Sequence, residues 1–248
     1  MEIMAVINQK GGVGKTTTAH NLGIGLQKRG KKVLLVDLDP QTNLTFTVLK
    51  QIPNKSIFEA LTGKNDIKEC IYQNDGVDVA PSSPMLSVID NYLNGTGKEY
   101  KLKEILQDIM ENYDYIIIDT PPSLSILTAN ALTVSHKAII TAQADIYSIQ
   151  GIGQLVQNIE AVKKYCNNAL NIEGILLTRY SNRAVLTKGM TENIENIAKN
   201  IGTKVFNTKI RECIAIKEAQ ARQSNIFDYA KKSNAAKDYN NFIDEILG

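Results

Sequence analysis

Residues 3–17 read Ile3-Met-Ala-Val-Ile-Asn8, then Gln9-Lys10-Gly-Gly-Val-Gly-Lys-Thr-Thr17. The first half is an apolar, β-branched run with the pattern of a strand buried on both faces. The second half is a glycine-rich turn, and the segment from Lys15 to Arg29 has a helical pattern. Strand, glycine loop and helix in that order make a phosphate cradle. The glycines let the backbone turn tightly and aim N–H groups at phosphate oxygens, and the helix N-terminus adds partial positive charge. In this cradle Lys15 would reach the β- and γ-phosphates, and the Thr16 hydroxyl would ligate Mg²⁺. The usual spacing, GxxxxGK[ST], needs glycine at position 9. This chain has Gln9 there and a second lysine at position 10.

Further apolar runs extend the pattern along the chain: Val33–Asp37, Val77–Ala80, Tyr115–Asp119, Ala138–Thr141 and Ile172–Thr178. Helical patterns separate them at Leu102–Asn112, Ser125–Val134, Gln150–Tyr165 and Leu186–Asn200, with short helices expected around Ile57–Leu61 and Met85–Leu93 and a closing helix over Ala235–Leu247. The alternation predicts an α/β fold, a doubly wound, mostly parallel sheet with helices on both faces. No repeat or linker interrupts it, so residues 1–248 are expected to form a single domain. The segment Thr42–Gly97 is the least regular.

Two acidic strand ends belong with the loop. Asp119 follows Tyr115-Ile-Ile-Ile, where a carboxylate can hold the metal through a water. Asp37 and Asp39 end the second strand before Pro40-Gln41. One of them can orient an attacking water, and Asp39 is the choice because the Asp-Pro break turns its neighbourhood toward the ligand. For Asp37 a strand-end or metal-supporting role stands beside catalysis.

The 248 residues carry 28 Lys+Arg and 26 Asp+Glu, are 43% hydrophobic and 22% charged, and have a formal net charge of +2. That composition excludes disorder for most of the chain, and no apolar run approaches the roughly 20 residues of a bilayer span. No signal peptide is visible. Cys70, Cys166 and Cys213 lie far apart without a CxxC pair, which argues against a disulfide framework or zinc site and fits a reducing compartment. The charge is uneven: residues 176–237 balance to +7 and the remainder to −5. Such an excess is a candidate surface for a polyanion, unless its charges are scattered over solvated helix faces.

Taken together, Asn8-Gln9-Lys10-Gly-Gly-Val-Gly-Lys-Thr-Thr-Thr, Val33-Leu-Leu-Val-Asp-Leu-Asp-Pro-Gln and Tyr113-Asp-Tyr-Ile-Ile-Ile-Asp-Thr-Pro-Pro-Ser resemble the deviant Walker A P-loop ATPases, the ParA/MinD group, and within it the ParA/Soj branch. Gly174-Ile-Leu-Leu-Thr-Arg-Tyr, Asn182-Arg183 and Glu218-Ala-Gln match more weakly, and the likeness runs from residue 3 to about 230. The resemblance implies a nucleotide site over Lys10, Gly11, Gly12, Val13, Gly14, Lys15, Thr16 and Thr17. ATP and Mg²⁺ are the implied cofactors, with Thr16 and Asp119 in the magnesium shell and Lys10, Lys15 and Asp39 as the catalytic set. Lys10 looks like the group's signature lysine, which reaches across an ATP-dependent homodimer to the other subunit's phosphates.

Asp39-Pro-Gln and Asp119-Thr-Pro-Pro would be switch segments. Slow hydrolysis is implied, stimulated by a ParB-like centromere-binding protein. The same resemblance implies non-specific binding of double-stranded DNA through phosphate contacts and a role in partitioning a plasmid, chromosome or mobile element. The expected location is cytoplasmic and nucleoid-associated.

Arg183 sits where DNA-contacting arginines are common. Where many relatives read Ile-Pro-Arg-Asn-Val-Arg-Leu-Ser-Glu-Ala-Pro, this chain reads Ile210-Arg-Glu-Cys-Ile-Ala-Ile-Lys-Glu-Ala-Gln. Lys209, Arg211, Lys217 and Arg222 are therefore substitute DNA candidates, with Lys231 and Lys232 behind them. A MinD-like membrane-cycling ATPase is the main alternative, but Asp238, Asp244 and Glu245 on the closing segment would be repelled by anionic lipid. An iron–sulfur carrier would need converging cysteines, and with the loop opening at residue 10 a repressor's own DNA-binding module is not expected. His20 and His136 are expected to pack rather than catalyse.

Overall fold

The computed structural model describes residues 1–181 and 185–248. Seven strands form one sheet: β1 (Glu2–Ile7), β2 (Val33–Asp37), β3 (Tyr72–Asn74), β4 (Val77–Ala80), β5 (Tyr115–Asp119), β6 (Lys137–Ala142) and β7 (Asn171–Leu177). Their spatial order is β3-β4-β2-β5-β1-β6-β7, and every pairing is parallel except β3 with β4. β1 lies between β5 and β6, so the chain leaves it at the point where the winding direction reverses. In a sheet of this kind the crevice outside the carboxyl ends of the strands receives ligands.

The helices are α1 (Lys15–Gln27), α2 (Asn43–Leu49), α3 (Ile57–Leu61), α4 (Lys101–Leu106), α5 (Ile126–Val134), α6 (Ile146–Tyr165), α7 (Val185–Asn200), α8 (Ile214–Ala221), α9 (Ile226–Tyr229) and α10 (Asn234–Leu247). The two-residue alternation of each strand divides the core. Ile3, Ala5 and Ile7 face a layer built by α3 to α7. Met4 and Val6 face a second layer built by α1, α2 and α8 to α10. Both faces are covered, which is why the strands read as continuous apolar runs.

Several elements differ from the sequence expectation. β3 was not expected: Asp75 and Gly76 take φ of 50° and 77°, the two left-handed residues of a tight hairpin turn, and reverse the chain into β4. α2 forms within the stretch expected to be irregular, burying Leu44 and Val48. α4 stops at Leu106 rather than running to residue 112. The N–H of Ile109 donates to Leu106 O, so the chain tightens before β5. α6 begins four residues before the expected start because Asp145 caps it, accepting from the Ser148 N–H at 2.8 Å. α8 was also missed. The two histidines are structural: His136 Nδ1 accepts from the Ile3 N–H, and burial holds His20 down at about pKa 4.

Candidate functional site

The loop after β1 is shaped by its own residues and braced by distant ones. Gly12 and Gly14 take φ of 75° and 80°, a backbone that a side chain would strain. Among the described residues, no backbone N–H from Gly11 to Thr17 donates to a protein acceptor. Gly11, Gly12, Gly14, Lys15, Thr16 and Thr17 line a cleft of about 610 Å³. Asn8 shapes the entry, accepting from the Lys10 N–H at 2.8 Å and donating to Thr141 O at 2.5 Å. Thr178, just after β7, donates its hydroxyl to Val13 O at 2.8 Å, and Gln220 of α8 donates to the Thr17 hydroxyl at 2.8 Å.

Lys15 is buried and donates to Lys10 O at 3.1 Å, which lays its ammonium inside the loop. Burial lowers its pKa, against the upward pull of Asp119 and Asp39. The strand ends supply those carboxylates, since Asp37 and Asp119 are register partners on β2 and β5. Asp37 is well satisfied. It accepts from the Thr45 N–H and hydroxyl at 2.8 and 2.7 Å and from the Asp39 N–H at 3.1 Å. Burial nevertheless pushes it up to about 6.

Asp119 is the opposite case. It is fully buried and neither carboxylate oxygen has a hydrogen-bond partner. Burial first, and the Asp37 carboxylate second, push its pKa well above the usual range; the nearby Thr16 hydroxyl and Lys15 pull it back only in part. A buried carboxylate left bare is unfavourable, and a cation arriving in front of it removes the penalty. Among the described residues no group of three or more His, Cys, Asp or Glu side chains gathers as a metal cage. The donor set of one hydroxyl and one carboxylate fits Mg²⁺, which keeps waters and binds mainly through substrate phosphates. Asp39 also lines the cleft, held by the Gln41 N–H on its carboxylate and the Ser82 hydroxyl on its carbonyl.

Lys10 lies apart from this cluster. Its ammonium pairs with Asp145 at 2.8 Å and sits 5.8 Å from the centroid of the Tyr147 ring. Although partial burial alone would raise Asp145, the bonds from Lys10 and the Ser148 N–H hold it below the usual carboxylate value. The structure thus gathers Gly11, Gly12, Gly14, Lys15, Thr16, Thr17 and Asp39 around one cleft, with Val13 in the loop and Asp119 beneath it. The sequence motifs contained Asn8, Thr178 and Gln220 but gave them no role in bracing the loop, and Asp145 was missed although its helix cap carried a local signal.

The DNA candidates are dispersed. Arg183 lies outside the described residues. Lys209 is half-buried over the Tyr180 ring, and Lys217 and Arg222 are exposed, with Lys217 at the nucleotide cleft. Arg211 is committed elsewhere: its guanidinium makes a two-pronged pair with Asp238, at 2.9 Å from Nε and 2.6 Å from Nη2.

A doubly wound sheet with a phosphate cradle at its switch point is a P-loop nucleoside triphosphatase fold. Residues 1–172 match a family described as an AAA domain. The chain is 38% identical over 250 residues to sporulation initiation inhibitor protein Soj of Bacillus subtilis, covering 99% of this chain and 98% of that one. It is 32% identical over 254 residues to chromosome partitioning protein ParA of Caulobacter vibrioides, covering 100% and 94%. It also superposes on a Mycobacterium smegmatis cobyrinic acid a,c-diamide synthase solved with an ATP analog and magnesium, at TM-score 0.86 and 32% identity, covering 100% of this chain and 94% of that one. The chain belongs to the Soj/ParA family of partitioning ATPases.

Proposed function

We propose that this protein is a Mg²⁺-dependent ATPase that dimerises on ATP, binds double-stranded DNA without sequence preference and drives partitioning of a plasmid, chromosome or mobile element. The observation that carries the nucleotide reading is the bare, buried Asp119 carboxylate facing Thr16 beneath an open cradle of backbone N–H groups. An ATP analog and magnesium bound to the M. smegmatis structure support ATP and Mg²⁺ as the ligands. In this reading Lys15 and the loop hold the β- and γ-phosphates. Thr16 and, through a water, Asp119 hold the metal, which neutralises charge on the phosphates. Asp39 orients the attacking water, and Lys10 leaves Asp145 to reach the phosphates held by a second copy.

The partner is a ParB-like centromere-binding protein that speeds slow hydrolysis, and the location is cytoplasmic and nucleoid-associated. Residues 1–248 act as one ATPase domain. The +7 balance of residues 176–237 supports a polyanionic partner. α10 favours DNA over membrane: its apolar face, with Phe242, Ile243 and Ile246, is buried in the core, and no described helix is long and apolar enough to cross a membrane.

Duplex-DNA binding measured with ATP, ADP or no nucleotide at two salt concentrations tests the proposal. Binding should need ATP and fall steeply with salt, as counterion release demands, and should be indifferent to sequence. Nucleotide-independent binding, or ATP-driven pelleting with anionic liposomes and none with DNA, would overturn it.

A further inference from the structure

The nucleotide cleft has two ends. If phosphates occupy the loop, the ribose and base must extend toward the remaining lining, which includes Thr178, Arg179 and Ile210 to Cys213. The segment carrying Ile210 to Cys213 runs beside β7 as an irregular edge. Phe206 N–H donates to Ile175 O at 3.0 Å, Ile210 N–H to Leu177 O at 2.8 Å and Tyr180 N–H to Ile210 O at 2.9 Å. An edge of this kind leaves its other N–H groups unpaired and mobile unless something caps them.

Here two carboxylates of α10 do so. Glu245 accepts from the Asn207 and Thr208 N–H groups at 2.8 and 3.0 Å, and buried Asp238 accepts from the Arg211 N–H at 3.0 Å while also holding the Arg211 guanidinium. The same helix is tied to the phosphate end. Tyr239, beside Asp238, lines the cleft and meets the Thr18 hydroxyl of α1 at 3.3 Å. Gly25 of α1 admits α10 closely, since a Cβ there would overlap Ile243. One rigid helix therefore sets the separation between the two ends.

We propose that Asp238 and Glu245 are positioning residues for the nucleotide, holding segment 207–211 so that its Ile210 and Arg211, which line the cleft, stand as the wall that receives ribose and base. This rests on the nucleotide reading above and adds to it. The physical reason is preorganisation: a wall already fixed on two charged anchors loses no loop entropy when the ligand arrives. Arg211 serves this wall, with its charge neutralised by Asp238.

The test compares Mg²⁺-ATP with Mg²⁺-tripolyphosphate, which offers the phosphates without ribose or base, by calorimetry on the full chain. Wild type should bind ATP more tightly than tripolyphosphate. D238N should lose roughly tenfold or more in ATP affinity while tripolyphosphate affinity stays within about twofold, and E245Q should shift in the same sense by less. Far-ultraviolet circular dichroism checks folding; if D238N does not fold, E245Q and R211Q carry the comparison. Equal loss of both ligands, or no loss of ATP, would overturn the positioning role. A wild type that binds the two ligands equally would overturn it as well, leaving the phosphate site standing. A wild type that binds neither would instead refute the nucleotide reading.

Discussion

The two ends of the cleft are built on opposite principles. At the phosphate end the groups are left open: backbone N–H groups without protein acceptors and a buried Asp119 with no hydrogen-bond partner, beside a lysine folded into its own loop. At the far end the groups come from distant parts of the chain and are saturated, with Asp238 and Glu245 fully engaged by Arg211, Asn207 and Thr208. Unsatisfied polarity marks where a ligand supplies the missing partners, and satisfied polarity marks scaffold. Asp37 and Asp119 show the same contrast one strand apart, since only Asp37 is hydrogen-bonded.

Removing the cation of the bare end should have the largest effect. Lys15→Ala should lower ATP affinity by at least about a hundredfold, about 2.7 kcal/mol, because a charge-assisted contact in a buried site is lost. Retained tight binding by calorimetry would mean that the backbone cradle suffices without the lysine.

Asp119→Asn should separate stability from function. The variant keeps the shape but removes a buried carboxyl that has no hydrogen-bond partner and that Lys15 offsets only in part. The nucleotide-free protein should therefore gain about 1–3 kcal/mol, or about 2–4 °C in Tm per kcal/mol, while Mg²⁺-dependent turnover collapses. A fall in Tm on thermal melting would show that the carboxylate is satisfied in solution, and the contrast with Asp37 would fail.

The smallest effect concerns the satisfied carboxylate. The pKa of Asp37 rises from an ordinary 3.8 to about 6 in the folded chain, so the folded state holds more protons than the unfolded state between those values. Its contribution is then fully present below pH 3.8 and is lost as pH rises through 6. His20, at about 4 against 6.5, acts in the opposite sense and is common to both proteins compared. Relative to Asp37→Asn, the wild type should gain up to about 1.4 kcal/mol per pH unit on acidification from pH 6 to 4. Parallel pH–stability curves from urea titrations would remove Asp37 from this account.

Much of the fold was legible because its signals are local. The runs at Val33–Asp37 and Tyr115–Asp119 coincide with β2 and β5, and Gly12 and Gly14 of the loop take the left-handed backbone their type permits. The Asn74-Asp75-Gly76 turn was equally legible and was passed over. The carboxylates of α10 were not legible: read along the chain, Asp238 and Glu245 are charges on a short helix, set there only against a membrane. What they do depends on which N–H groups the edge beside β7 leaves unpaired, 27 to 38 residues away in sequence.

By itself, the sequence determined that this chain makes a phosphate cradle on a parallel sheet, because backbone conformation and strand patterning are properties of neighbouring residues. The tertiary structure alone decided which charges stay bare for a ligand and which are consumed in holding its walls. Burial and hydrogen-bond partnership are properties of residues brought together from far apart.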